Sequence, residues 1–158
     1  MCRLLEIEYA DIEYEPDDTD SEPYQGDWHD QAPPLLSATS FAATYLVRNF
    51  ENDVSMACYV GESLHQGVVE PCETPEQQYT AVVYLPPAAT WILIAGEKLH
   101  QLCKGDDRAR RMKLQFSLEK WALWRRRFGE IAAAGLLDGR LLDFASRAAD
   151  EMARIDSS

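Results

Sequence analysis

The sequence predicts an all-α fold, with a single domain of five or six helices over residues 35–158 and an acidic, largely irregular N-terminal arm over residues 1–34. Apolar residues recur every three or four positions through much of the second part, which is the spacing that gives a helix one buried face. Capping residues and glycines stand at the ends of these runs. The chain length of 158 residues suits one domain.

The arm is marked by its charge. Residues 11–30, DIEYEPDDTDSEPYQGDWHD, contain nine acidic residues and no Lys or Arg, and the prolines over residues 16–34 predict a loop. Either the arm is solvated, or it folds back onto the basic second half of the chain and covers something there. Three aromatic residues favour folding back, because a purely solvating arm has little use for them. They are Tyr14, Tyr24 and Trp28.

The sequence of the first half of the domain predicts three helices. Residues 38–50 form the first, and residues 52–64 form either a second helix capped by Asn52 or Asp53 or the continuation of a bent one. Thr74 followed by Pro75 is a strong helix start, since the threonine oxygen caps free amides and the proline ring is already set at helical φ. This helix is expected to end at LPP, residues 85–87.

The sequence of the second half predicts three more helical segments. The stretch AATWILIAGEKLHQLCKG, residues 88–105, has one continuous apolar face and ends at Gly105. A charged link follows. Ser117 caps the next helix, which ends at Gly135, and a last helix spans residues 138–155. The apolar stripes of these two helices are Trp121, Trp124, Phe128 and Ile131, then Leu141, Ala145, Ala148, Met152 and Ile155.

Composition argues against several classes of function. The net charge of −12 disfavours binding to nucleic acid and to anionic membranes, and no apolar run approaches the roughly 20 residues that membrane insertion needs. The four cysteines form no CxxC pair, and the N-terminal residues do not resemble a signal peptide, so we expect reduced thiols and a cytoplasmic protein. The sequence has no GxSxG, P-loop, GxGxxG or HExxH motif, and we expect neither a metal nor a cofactor.

Three blocks of the second half resemble a fungal family of unknown function. They are AATWILIAGEKLHQL, FSLEKWALWRRRFGEIA and ASRAADEMARI, which lie within residues 88–155 and carry the patterns AAxWIxxAG and FSLxxWxxWxxxF. The resemblance implies a protein of filamentous fungi, in some cases encoded among natural-product biosynthesis genes. Small proteins of this kind include cofactor-free cyclases, such as norbornene-forming Diels–Alderases. The resemblance supplies no catalytic residues.

The candidate site residues are mainly aromatic. Buried indoles need partners for their N–H groups, and such clusters line pockets for apolar ligands, although residues at this spacing also form ordinary helical cores. We expect Tyr45 or His65 to donate or accept a catalytic hydrogen bond. Glu97 flanks the apolar stripe, where a solvent-side position or a local ion pair is expected; if it is instead buried, it is a candidate general acid. The predicted substrate-binding residues are Trp91, Trp121, Trp124, Phe128 and Glu97.

Two functions follow from these residues. The first is a cofactor-independent enzyme of fungal secondary metabolism, which binds an apolar terpenoid or polyketide-like molecule and promotes cyclisation or isomerisation, for example an intramolecular Diels–Alder reaction. The alternative is a non-catalytic protein-interaction module that uses the acidic arm or an aromatic helix face. A homodimer is compatible with both. A nucleophilic Cys103 paired with histidine is the weaker prediction, since this thiol lies on the apolar helix face.

Overall fold

A computed structural model describes residues 28–69 and 74–158. These residues contain six α-helices and no strand, so the predicted all-α fold is confirmed. Residues 1–27 of the predicted arm lie outside the described residues. Among the described residues, no helix carries an apolar stretch of the length that a bilayer crossing requires. The helices are α1 (Trp28–Asn49), α2 (Val60–Leu64), α3 (Pro75–Cys103), α4 (Asp107–Arg111), α5 (Leu118–Ala134) and α6 (Gly139–Asp156).

Helix α1 begins earlier than predicted. It starts at Trp28, so the loop expected over residues 28–34 is helical. The loop prediction was wrong there because proline is damaging mainly in a helix interior, where it removes a hydrogen bond and its ring meets the preceding turn. Pro33 and Pro34 are the sixth and seventh residues of α1, just past the four N–H groups that have no helical acceptor, so little more than one turn of helix precedes them.

Helix α3 is the longest element and forms the centre of the domain. It begins with a capping box in which Thr74 Oγ1 accepts the Gln77 N–H at 3.2 Å and Gln77 Oε1 accepts the Thr74 N–H at 3.0 Å. The predicted start is therefore confirmed. The predicted end at residues 85–87 is wrong, because the helix continues through Pro86 and Pro87 to Cys103.

Burial on both sides explains why the proline pair does not end α3. An interior proline costs about 3 kcal/mol or more. Leu85 before the pair and Trp91, Ile92 and Leu99 after it are all buried, and burying each such side chain contributes roughly 1.5–3 kcal/mol. The summed burial outweighs the proline penalty, and proline φ is itself compatible with a helix.

The connection between α1 and α3 is an unusual sequence of helical turns. Asp53, one of the two predicted caps, accepts the Ser55 N–H at 2.8 Å. A 3₁₀ turn (Ser55–Tyr59) leads into α2, and a π turn (His65–Val69) follows it. Gly67 of the π turn lies against the α3 backbone, where an added Cβ would be 2.5 Å from the Tyr84 carbonyl oxygen. Only glycine allows this approach without a backbone shift.

The remaining helix ends follow the predicted local signals. Ser117 caps α5 by accepting the Lys120 N–H at 3.2 Å. Gly105 after α3 and Gly135 after α5 both have left-handed backbones, with φ of +107° and +64°. The charged link contains the short helix α4, which was not predicted and which Asp106 caps by accepting the Arg108 N–H.

The core lies around α3, which packs against α1 and α6. Helix α5 packs against α6 and against the π turn. The predicted stripes of α5 and α6 are buried as expected, and they meet the apolar face of α3. This arrangement brings the C-terminal ends of α3 and α6 together with the first turns of α5.

Candidate functional site

The four predicted aromatic residues lie in the core. Trp91, Trp121, Trp124 and Phe128 are all buried and belong to one continuous cluster of packed side chains. The ring of Phe116 meets Trp124 edge to face, with 6.1 Å between centroids. Their part in substrate binding stays a prediction, because packing in a core and lining a ligand pocket both place indoles out of solvent.

The two predicted catalytic residues lie on separate elements. Tyr45 on α1 donates its hydroxyl proton to Asp53 Oδ2 at 3.2 Å. This hydrogen bond, together with the charge of Asp53, raises the pKa of Tyr45. His65 is exposed at the start of the π turn. A catalytic role for either residue stays a prediction.

Glu97 is exposed rather than buried. Its side chain is 65% exposed, and its Oε1 is 2.9 Å from Arg154 Nη2. Arg154 also pairs with Glu151 at 2.7 Å, and these two carboxylates raise the pKa of Arg154, with Glu151 the larger influence. The burial that would make Glu97 a general acid is therefore not observed.

Glu97 nevertheless lines a surface cleft. The cleft has a volume of about 190 Å³ and lies between α1, α3 and α6. Ligand pockets for drug-sized molecules usually enclose about 300–1,000 Å³ and are mainly apolar. This cleft is smaller, and charged side chains form part of its wall. Its lining residues are Val47, Leu93, Ile94, Ala95, Gly96, Glu97, Lys98, Glu151 and Arg154.

A polar cluster joins three helices at the same end of the domain. The Trp121 indole N–H donates to Asp156 Oδ1 at 2.8 Å, and Arg125 pairs with the other carboxylate oxygen of Asp156. His100 stacks on the Trp121 ring at 4.9 Å, and its Nε2 is 3.7 Å from Asp156 Oδ1. Burial lowers the pKa of His100, and Lys104 lowers it further, against the opposing charge of Asp156. The net effect of these surroundings favours the neutral imidazole over the charged one.

Sequence reasoning missed Asp156 and its pairing with Arg125. The Trp121–Asp156 bond joins residues 35 positions apart, and the Arg125–Asp156 pair joins residues 31 apart. Helical periodicity reports only neighbours three or four positions apart, so no local signal marked this cluster. The one available hint was the buried indole of Trp121, which needs an acceptor.

Two further features of the described residues concern metal ligands and the Cys103 thiol. They contain no group of three or more His, Cys, Asp and Glu side chains arranged to hold a metal ion. Cys103 is buried as expected, and burial raises the pKa of its thiol to about 12 despite a backbone hydrogen bond from Ser117. A thiol with this pKa is a poor nucleophile at neutral pH.

Comparison with known families assigns the chain to one of them. Residues 4–128 match the family described as "Protein of unknown function (DUF3632)". The chain belongs to this family. The matched region extends well before the predicted resemblance at residues 88–155 and ends inside α5, so α6 lies beyond it. Comparisons with curated proteins and with solved structures give no match. Membership of an uncharacterised family is thus confirmed, whereas the fungal origin and the cyclase relationship stay predictions.

Proposed function

We propose that this DUF3632 domain is a protein-interaction module that receives an apolar side chain of a partner helix in the cleft between α1, α3 and α6. The observation that carries this proposal is the pair of aliphatic residues at the cleft. Val47 on α1 and Ile94 on α3 are 37% and 38% exposed, although each lies on a helix that packs into the core. Exposed aliphatic side chains in a concave surface gain free energy when a partner covers them.

The charges around this pair resemble the rim of an interface. Protein interfaces combine an apolar centre with a polar, solvent-accessible edge. Here Arg154 is fixed between Glu97 and Glu151. Lys98 Nζ lies 4.7 Å from the centroid of the Phe50 ring, which holds the lysine stem along α3. A groove between helices suits a helical partner, whose side chains project in ridges at matching spacing.

Substitution of Ile94 tests this proposal. A tagged full-length protein is used to isolate partners from its source cells, and the purified partner is then titrated calorimetrically. We expect Ile94→Glu to weaken binding at least tenfold, which corresponds to about 1.4 kcal/mol. The matched control is Leu136→Glu, which introduces the same charge at a 65% exposed leucine between α5 and α6. Equal affinities of the Ile94→Glu protein and the wild type would exclude the cleft as the binding site.

Cofactor-free cyclisation of an apolar molecule is the second candidate function. The observation that favours it is the position of His100, which follows Glu97 and Gly96 of the cleft by one helical turn and stacks on the Trp121 ring. The volume of about 190 Å³ limits any bound molecule to a small one unless the helices move apart. Native mass spectrometry of the purified protein with increasing activation separates the two candidates. A bound small molecule in place of a protein partner would favour cyclisation.

A further inference from the structure

A second surface of the domain carries more basic than acidic residues. It lies between the end of α3 and the start of α5, and it is separate from the cleft. Residues 98–127 contain ten Lys and Arg residues and only three acidic residues. We define the basic patch as six exposed residues of this region: Lys104, Arg110, Arg111, Met112, Lys113 and Leu118.

The patch is a fixed part of the fold. Arg108 turns inward, bonding to Asp106 and donating to the Phe50 carbonyl at the end of α1. The backbone then reverses at Lys113, whose φ is +57°, and the Leu114 N–H returns to the Ala109 carbonyl at 2.9 Å. The neighbouring basic side chains are left on the outside, where Arg110 also pairs with the exposed Asp107 at 3.1 Å. The loop therefore presents its charges from a backbone that is tied to α1.

Two apolar residues stand among these charges. Met112 is 42% exposed and Leu118 is 51% exposed. Apolar side chains gain no stabilisation in a loop that contacts only water, whereas a binding surface for a mixed acidic and apolar segment uses both kinds of contact. The patch thus indicates the chemistry of its occupant, which is an acidic segment with apolar residues at intervals.

The chain itself contains such a segment. Residues 11–18, DIEYEPDD, have five acidic residues and no basic one, and Ile12 and Tyr14 alternate with the acids. We propose that residues 11–18 dock on the basic patch of the same molecule. The segment supplies carboxylates for the lysines and arginines and two apolar side chains for Met112 and Leu118. This contact does not depend on the function of the cleft.

The geometry of α1 allows this contact. The helix has 22 residues and is therefore about 33 Å long, and its C-terminal end is the one joined to Arg108. The nine residues 19–27, when extended, span about 30 Å. If they run back along α1 from Trp28, they bring residues 11–18 level with the end of α1 beside the patch. The linker length thus matches the distance to be covered.

Carbodiimide cross-linking of the full-length protein tests the proposal. This reagent joins lysines to carboxylates in direct contact, and the chain has four lysines: Lys98, Lys104, Lys113 and Lys120. We expect peptides from residues 11–18 to be joined to Lys104 and Lys113 at least fivefold more often than to Lys98. Sodium chloride at about 0.5 M should reduce these products several-fold, since exposed charges are screened at that ionic strength.

A charge-reversal pair provides the specificity control. Arg110→Glu combined with Arg111→Glu should reduce the cross-links to Lys104 and Lys113 at least fivefold. Arg140→Glu combined with Arg147→Glu makes the same charge change at exposed positions of α6 and should leave them within twofold. Unchanged cross-linking in the Arg110 and Arg111 variant would overturn the proposal. Products that join isotopically light and heavy chains in a mixed sample would also overturn it, because the occupant would then be a second copy.

Discussion

Trp121 on α5 donates its indole N–H to Asp156 Oδ1 on α6 at 2.8 Å, and His100 on α3 stacks on the same indole. One side chain therefore links the three helices at this end of the domain. A hydrogen bond to a charged acceptor contributes about 1.5–3 kcal/mol, and an acceptor left without its donor is costly. This bond is consequently a determinant of the stability of the domain.

We predict that Trp121→Phe lowers the free energy of unfolding by about 1–2 kcal/mol more than Trp124→Phe. Both changes shorten a buried indole on one face of α5, but only the first removes a hydrogen bond seen in the described part of the chain. Urea unfolding followed by circular dichroism measures both values. Equal destabilisation would mean that the bond to Asp156 contributes little.

A glycine pair tests the contact between the π turn and α3. Gly67→Ala places a Cβ 2.5 Å from the Tyr84 carbonyl oxygen, so the backbone must move, and we expect a loss of about 1–3 kcal/mol. Gly61→Ala is the control in α2, where no atom lies within 4 Å of the new Cβ. It should stabilise by about 0.5–1 kcal/mol. Thermal and urea melts distinguish these opposite signs.

Stability in acid should depend on Asp106. Its hydrogen bonds with the Arg108 side chain lower the pKa of this carboxyl to about 2. The unfolded chain binds a proton near the ordinary value of about 3.9. The contribution of Asp106 is therefore complete above about pH 4 and is lost as the pH falls through about 2. We expect Asp106→Asn to reduce the slope of unfolding free energy against pH between these values.

Asparagine preserves the cap in this experiment, since it caps helices about as well as aspartate. The control is Asp138→Asn, which changes the cap of α6 where the carboxylate accepts the backbone N–H groups of Arg140 and Leu141. It separates the effect of the Arg108 pair from that of any capping charge. Parallel slopes for wild type and Asp106→Asn would contradict the prediction.

Cys103 should resist alkylation while the protein is folded. With a pKa of about 12, only a minute fraction of this thiol is ionised at pH 8. We expect its reaction with iodoacetamide to be at least a hundredfold slower in the native protein than in 6 M guanidinium chloride. Mass spectrometry of the peptide that contains Cys103 measures both rates. Rapid native labelling would show that this part of the core opens readily.

The fold was predictable where the signals are local. Thr74, Ser117 and Gly135 mark their helix ends through contacts within a few residues, and all three act as the sequence predicts. The prediction was wrong at Pro86 and Pro87 because the contacts that decide the structure there are not local. Their local preference is to interrupt a helix, but packing of α3 on α1 and α6 overrides it.

The candidate site was less predictable than the fold. Indole spacing located Trp91, Trp121 and Trp124, and the structure places all of them in the core. Spacing alone does not distinguish ligand atoms from protein atoms in the space beside these indoles. Glu97 is exposed at the surface beside α6, where it pairs with Arg154. The two residues are 57 positions apart in the chain, so no local pattern indicated this pairing.

The sequence by itself determined the all-α class, most helix ends and the buried stripes, because each depends on side chains within one or two turns of each other. Only the tertiary structure decided the course of α3 through its prolines, the cleft beside Val47 and Ile94, and the joining of Trp121 to Asp156. These features arise where separate helices meet. Their energies come from contacts between residues far apart in the chain, which local periodicity does not record.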